Sequence, residues 1–160
     1  MALIPRLGGG LILVLLLPLT GCISTHCNPG IRTRACLYDA YHAWENNKNE
    51  EALTAVKQAL VFSQRENVPP TVLVEVYDDA GLYFYLAGLY GDSARNQAIA
   101  VLLARKLGVS PQLENTYEDR LSRALEAADL GNSQDHHTER LLGIPGVRAN
   151  PHIQKYYGLR

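Results

Sequence analysis

The sequence predicts an all-α domain built from antiparallel helical hairpins. Apolar residues recur at helical spacing from residue 35 onward, and no segment alternates apolar and polar residues with a period of two. Short polar turns separate the amphipathic segments, and short turns favour antiparallel neighbours. The chain of 160 residues divides into a signal sequence (1–21), a tether (22–34), a helical domain (35–131) and a final segment of short helices with a basic tail (132–160).

The first 21 residues have the three parts of a secretory signal. Arg6 supplies a positive start, an apolar run covers residues 7–19, and the small residues Thr20 and Gly21 precede Cys22. A bilayer-spanning helix needs about 20 apolar residues. The run is shorter and contains three glycines and Pro18, so a cleaved signal is favoured over a permanent span.

The motif Leu19-Thr20-Gly21-Cys22 resembles the lipobox of bacterial lipoproteins. The resemblance implies cleavage after Gly21 and lipidation of Cys22, with no cofactor other than this covalent lipid. Two or three acyl chains give stable membrane anchoring. The implied location is the bacterial cell envelope, and Ile23 resembles default sorting to the outer membrane, facing the periplasm, in a Gram-negative host. An ordinary signal followed by a free or disulfide-bonded cysteine is the alternative.

The helices follow one another with recognisable ends. The first begins at Ala35 and stops in the polar residues 46–49, where Asn49 caps a second helix that ends before Pro69. A third, over residues 70–90, is apolar almost all round and belongs in the middle of a bundle. Asp92 caps a fourth that ends before Gly108.

The remaining elements are shorter. Ser110 and Pro111 begin a fifth helix that stops at Gly131. Residues 133–142 form a short helix, residues 144–147 a turn, and Asn150 caps a final helix that ends at Tyr157. The tail carries the cations Arg140, Arg148, Lys155 and Arg160. It is interpreted as a solvated terminus, with contact to phospholipid headgroups or an acidic partner as the alternative.

Small residues in the first hairpin carry a second resemblance. Ala40, Ala43, Ala52 and Ala59 stand at the small-residue positions of the tetratricopeptide repeat. Glu51-Ala52 resembles its Glu-Ala step and Gly91-Asp92 its inter-helix turn. The resemblance covers roughly residues 38–111. A small helical bundle is the alternative.

Two features bound the chemistry of the mature chain. The whole chain has a formal charge of −1, and loss of Arg6 makes the mature chain one unit more negative. A net charge this small and negative creates no attractive field for nucleic acid. Cys27 and Cys36 can form one intramolecular disulfide in an oxidising compartment. That bond would stabilise the domain by about 2 to 3 kcal/mol. A redox-active pair is the alternative, but such a pair would normally have the Cys-x-x-Cys spacing.

Candidate site residues are few. The tyrosines Tyr77, Tyr83, Tyr85 and Tyr90 are interpreted as a partner-binding groove or as core, and Tyr83 and Tyr90 are expected to share one helix face. Asp78 and Asp79 diverge by about 100° on a helix and are expected to be solvated. Asp135, His136 and His137 lack further ligands at zinc spacing, so no metal site is predicted. No nucleophile or phosphate-loop motif is present, so the prediction is a non-enzyme.

These observations favour a protein-binding scaffold or assembly factor anchored in the outer membrane. Small helical lipoproteins of this layout look like pilotins, or like accessory repeat lipoproteins of pilus, secretion and export machines. An envelope protein is the expected partner, and the oligomeric state is left open. The alternative is a small-ligand-binding or enzyme-accessory lipoprotein, with a pocket between the third and fifth helices near Tyr83 or Tyr85. A third hypothesis is a stabilising subunit that its basic tail holds to a complex. Removal of residues 144–160 should then abolish retention in the complex and leave the helical fold intact.

Overall fold

The computed structural model describes residues 29–65, 68–130 and 136–159. These residues contain helices and turns, and no strand occurs within them. The helices are α1 (Pro29–Glu45), α2 (Asn49–Arg65), α3 (Pro70–Leu86), α4 (Tyr90–Leu107), α5 (Pro111–Ala127), α6 (Thr138–Gly143) and α7 (Pro151–Tyr157). The predicted all-α hairpin class is confirmed. Over the described ranges, no helix has both the length and the apolar character needed to cross a membrane. The signal sequence and Cys22 lie outside these ranges.

The helices stack as consecutive hairpins. α1 packs on α2, α3 packs on α4, and each hairpin packs on the next through the α2–α3 and α4–α5 contacts. In addition, α1 touches α3 and α3 touches α5. The odd-numbered helices therefore share one side of the stack, which we call the odd-helix face. α6 and α7 both pack on α4.

Several predicted helix ends are confirmed by their capping groups. The Ser110 hydroxyl accepts a hydrogen bond from the backbone N–H of Leu113 at the start of α5. The Asn150 side chain accepts from the N–H groups of His152 and Ile153 at the start of α7. Gly108 closes α4 in the left-handed conformation, with φ of 64°, which glycine adopts without steric cost.

Several predicted boundaries are wrong. Asp92 does not cap α4, because α4 begins at Tyr90 and Asp92 lies in its first turn. α5 ends at Ala127 and does not extend to Gly131. α1 begins at Pro29 rather than Ala35, because proline suits a first helical turn, where its missing N–H has no partner to lose. Residues 29–34 are therefore helix and not tether. α3 ends at Leu86, since Gly88 has a φ of +75° and the Leu89 N–H turns back to the Phe84 carbonyl. Tyr90 begins α4, so it does not share a helix with Tyr83.

The main core lies between α3, α4 and α5. α4 is its centre, because Ile99, Leu102 and Leu103 are almost completely buried. A smaller cluster joins the first hairpin to α3 through Val56 and Phe84. The sequence predicted that α3 lies in the middle of the bundle. In the structure, α4 is buried at least as completely as α3.

The C-terminal segment is part of this core, so its interpretation as a solvated terminus is wrong. Leu141, Ile144, Val147 and Ile153 all belong to the main cluster. The segment also hydrogen-bonds across the stack: His152 Nε2 lies 2.9 Å from the Ser63 carbonyl on α2, and the Tyr157 hydroxyl donates to the Leu102 carbonyl on α4. Since these side chains are in the core, we expect removal of residues 144–160 to disrupt the fold, contrary to the sequence-based hypothesis.

The charges of this segment differ in exposure. Arg148 and Lys155 are exposed, Arg140 is half-buried, and Arg160 lies outside the described residues. The exposed cations Arg148 and Lys155 therefore belong to a segment that packs against the core, and not to a free tail.

Candidate functional site

A cluster of polar side chains is buried where α3, α4 and α5 meet. Asp78 is 6% exposed and Gln97 is 1% exposed, and Ser93 is equally buried. The prediction that Asp78 is solvated is wrong, because α5 covers that side of α3. The sequence signal that was missed is Arg120, which faces Asp78 from 42 positions further along the chain.

Hydrogen bonds tie the three helices together at this point. The Gln97 side-chain amide donates to the Asp78 carbonyl at 2.9 Å, and the Ser93 hydroxyl donates to the Gly81 carbonyl at 2.7 Å. From α5, the Arg120 guanidinium forms an ion pair with the Asp78 carboxylate. The absent side chain of Gly81 makes room for this packing, since a Cβ there would lie 2.5 Å from Gln97 Nε2.

Two acceptors in the cluster remain without a partner among the described residues. They are Asp78 Oδ1 and Gln97 Oε1. A buried acceptor without a hydrogen bond costs about 1 to 3 kcal/mol. Burial raises the pKa of Asp78, and the positive charge of Arg120 opposes that rise. The cluster therefore has unused capacity to accept a hydrogen bond.

The neighbouring carboxyl group, Asp79, is also perturbed. Burial, followed by the charge of Asp78, raises the pKa of Asp79 to about 6, with Arg120 acting in the opposite direction. Asp79 is half-buried, so its predicted solvated environment is wrong as well. An acid with this pKa exchanges its proton close to neutral pH.

A cavity of about 240 Å³ lies beside the cluster. It is lined by Gly81, Leu82, Tyr85, Leu86, Ser93, Gln97, Arg120 and Arg123. Its place between α3, α4 and α5 agrees with the predicted pocket near Tyr85. Its walls are mostly apolar and include the side chains of Arg120 and Arg123, which suits a small ligand with an apolar body and a polar end.

The four tyrosines proposed for a groove do not line a common surface. Tyr77 is 1% exposed and its hydroxyl accepts a hydrogen bond from Asn150 Nδ2 at 2.9 Å. Tyr83 is buried against Trp44. Tyr77 and Tyr83 therefore belong to the core and not to a groove. Tyr85 and Tyr90 contact each other edge to face, with ring centroids 5.3 Å apart, so partner contact remains a prediction for this pair.

The odd-helix face carries two exposed aromatic residues that were not among the candidate site residues predicted from the sequence. Tyr38 is 64% exposed and Tyr41 is 52% exposed. They lie on one stripe of α1 between Arg34, which pairs with Glu75 of α3, and Glu45, which accepts from the Tyr41 hydroxyl. The spacing of i, i+4, i+7 and i+11 along α1 was the available signal.

The other predicted site residues give no shared site. Cys36 is half-buried, whereas Cys22 and Cys27 lie outside the described residues, so lipidation and the disulfide stay predictions. His136 lies 3.1 Å from the Ser122 hydroxyl and 3.8 Å from the Glu118 carboxylate. In the described part of the chain, no group of three or more His, Cys, Asp and Glu side chains is placed to hold a metal ion.

Comparison of the chain with protein-family models, with curated proteins and with solved structures finds no match.

Proposed function

We propose that this chain is a lipid-anchored bacterial envelope protein whose odd-helix face binds another envelope protein. The anchor is the lipid on Cys22 that the lipobox sequence implies. In a Gram-negative host the location is the outer membrane, facing the periplasm. The role is that of a scaffold or assembly factor for a pilus, secretion or export machine.

The observation that carries the proposal is the exposure of Tyr38 and Tyr41 on one stripe of α1. Tyrosine is enriched in the energetically important centres of protein interfaces. Leu86, which is 48% exposed at the end of α3, adds apolar area on the same face. The ion pair between Arg34 and Glu75 spans α1 and α3, so the face is a continuous surface and not two separate helices.

The test is affinity purification of the lipidated protein from mildly solubilised membranes after cross-linking. The double variant Y38A/Y41A should lose a partner that the wild type retains, and C22S should reduce recovery by removing the anchor. The matched control is V61A, which truncates a residue 41% exposed on α2, away from the odd-helix face. Full retention of the partner by Y38A/Y41A would contradict the proposed binding face.

A second candidate function is binding of a small ligand in the 240 Å³ cavity. The observation in its favour is the unpartnered buried acceptor Gln97 Oε1, since Gln97 lines the cavity and a ligand that donates a hydrogen bond would satisfy it. A thermal-shift screen of small amines, amides and amino acids should then raise the Tm of the wild type. The variant L82W, which fills the cavity, should not respond. A library without any stabilising compound would count against this function.

A further inference from the structure

One end of the helical stack concentrates positive charge. α1, α3 and α5 begin at this end and α2 and α4 finish there; we call it the tether end because α1 leads from it towards Cys22. α7 lies close to it, since the Tyr157 ring is beneath the Lys106 ammonium group. Its cations are Arg32, Arg34, Arg65, Arg105, Lys106 and Lys155.

Much of this positive charge is not balanced locally. The acids of the tether end are Glu75, which pairs with Arg34, and Glu114 and Glu118, which pair with Arg105. By contrast, the exposed side chains Arg65, Lys106 and Lys155 form no ion pair with an acid in the described ranges. Glu66 and Arg160, one charge of each sign, lie outside those ranges.

The opposite end of the stack has the reverse character. The ends of α1 and α5 and the start of α2 place exposed acids there: Glu45, Glu50, Glu51, Glu126 and Asp129. Lys48 is a cation at this end and pairs with Glu51, which leaves the acids in excess. The charge of the domain is therefore separated along the helix axes. This separation is hidden in the net charge of the whole chain, which is close to zero.

Exposed apolar side chains accompany the cations at the tether end. Ile31 is 59% exposed and Leu113 is 50% exposed, and each is the third residue of its helix, α1 and α5 respectively. Basic side chains beside exposed aliphatic ones suit an anionic phospholipid surface, where the cations meet headgroups and the aliphatic groups enter the acyl boundary.

The tether is short enough for the tether end of the stack to reach the bilayer. Residues 23–28 separate Cys22 from the start of α1, and a chain of that length spans at most about 25 Å when fully extended. A 17-residue helix is itself about 25 Å long. A lipid on Cys22 therefore keeps the start of α1 within about 25 Å of the membrane, so the tether end can reach the headgroups. The orientation of the stack then depends on its charge and its exposed apolar side chains.

We propose that the tether end docks on anionic phospholipid headgroups, so that the hairpins stand on the membrane with their acidic end away from it. This docking rests on the proposed lipidation of Cys22. It leaves the exposed tyrosines of the odd-helix face, Tyr38 and Tyr41, accessible to a protein partner.

Fluorescence quenching by brominated lipid tests this orientation on the full lipidated protein. The vesicles contain phosphatidylcholine and phosphatidylglycerol, with bromine on the acyl chains. Trp44 is the single tryptophan of the chain and lies near the acidic end of α1, so its emission should be unaffected. L113W adds an indole at the tether end, and roughly half of the emission should then be quenched because one of two indoles enters the acyl boundary.

Charge variants in the L113W background test the electrostatic part. R65E/K106E/K155E should abolish the quenching, as should vesicles of phosphatidylcholine alone. The matched control K48E/K57E/R148E makes the same change in net charge with cations placed elsewhere, and it should retain the quenching. Equal loss in both triple variants would overturn docking through the tether end and leave only a non-specific charge effect.

Flotation of the vesicles after a high-salt wash separates the two proposals. Protein that floats while the L113W indole remains unquenched on anionic vesicles would overturn the docking and leave the lipid anchor standing. Protein that fails to float, with an unmodified Cys22 by mass spectrometry, would overturn the anchor and the docking that rests on it.

Discussion

Replacing Gly81 by alanine tests the packing of the buried polar cluster. Gly81 lies inside α3, where alanine is normally favoured over glycine by about 1 kcal/mol. Here the added Cβ would lie 2.5 Å from Gln97 Nε2 and 2.6 Å from Gln97 Cγ. Gln97 is 1% exposed, so it cannot turn into solvent. It borders the 240 Å³ cavity, but turning into that cavity would break its hydrogen bond to the Asp78 carbonyl.

The expected net effect is destabilisation. Overpacking in a filled core costs about 1 to 3 kcal/mol. Displacement of Gln97 also breaks its hydrogen bond to the Asp78 carbonyl, which adds about 1 kcal/mol. After subtraction of the helix-propensity gain, G81A should lower the free energy of unfolding by about 1 to 3 kcal/mol.

Urea denaturation followed by far-UV circular dichroism measures this change. G91A is the matched control, because Gly91 is also helical and a Cβ there meets no atom within 4 Å. In a Q97A background the obstruction is gone, so G81A should become neutral or stabilising. Equal stability of G81A and G91A in the otherwise wild-type protein would refute the proposed packing.

Three further predictions follow from the fold. Asp79 has a folded pKa of about 6 against about 4 when unfolded, so its contribution should lower the unfolding free energy by up to about 3 kcal/mol as pH rises from about 3 to 7. D79N should remove most of this fall in urea titrations, and an unchanged pH profile would contradict it. Y77F takes the acceptor from buried Asn150 and should cost about 1 to 2 kcal/mol in the same assay, whereas the exposed Y38F should be neutral. Removal of residues 144–160 deletes Ile144, Val147 and Ile153 from the core, each worth about 1.5 to 3 kcal/mol; calorimetry should then show no cooperative transition, and a near-native Tm would refute this assignment.

Local chemistry explains what the sequence predicts well. Helix capping depends on hydrogen bonds and backbone angles of nearby residues, as at Gly108, Ser110 and Asn150. These helix ends can therefore be predicted without knowledge of the fold. The same holds for the existence of each long helix, which follows from periodic apolar residues. The hairpin class follows because short turns leave few ways to connect consecutive helices.

The candidate site depends on contacts between distant parts of the chain. The environment of Asp78 is set by Arg120 on α5, and no local pattern distinguishes this aspartate from a solvated one. The end of α3 was misplaced because Leu89 and Tyr90 continue the apolar periodicity beyond Gly88, although the helix ends at Leu86. Apolar periodicity reports which side chains pack, and it does not report where the backbone turns.

The bond from His152 to the Ser63 carbonyl joins positions 89 residues apart, and it bears on how the domain folds. In a repeat array each unit contacts only its neighbours, so folding begins anywhere and spreads. Here the last helix fastens the first hairpin to the second, through Ser63 on α2 and Leu102 on α4. Contacts of such long sequence separation slow folding. The first hairpin therefore gains part of its native stability only after α7 has packed in place.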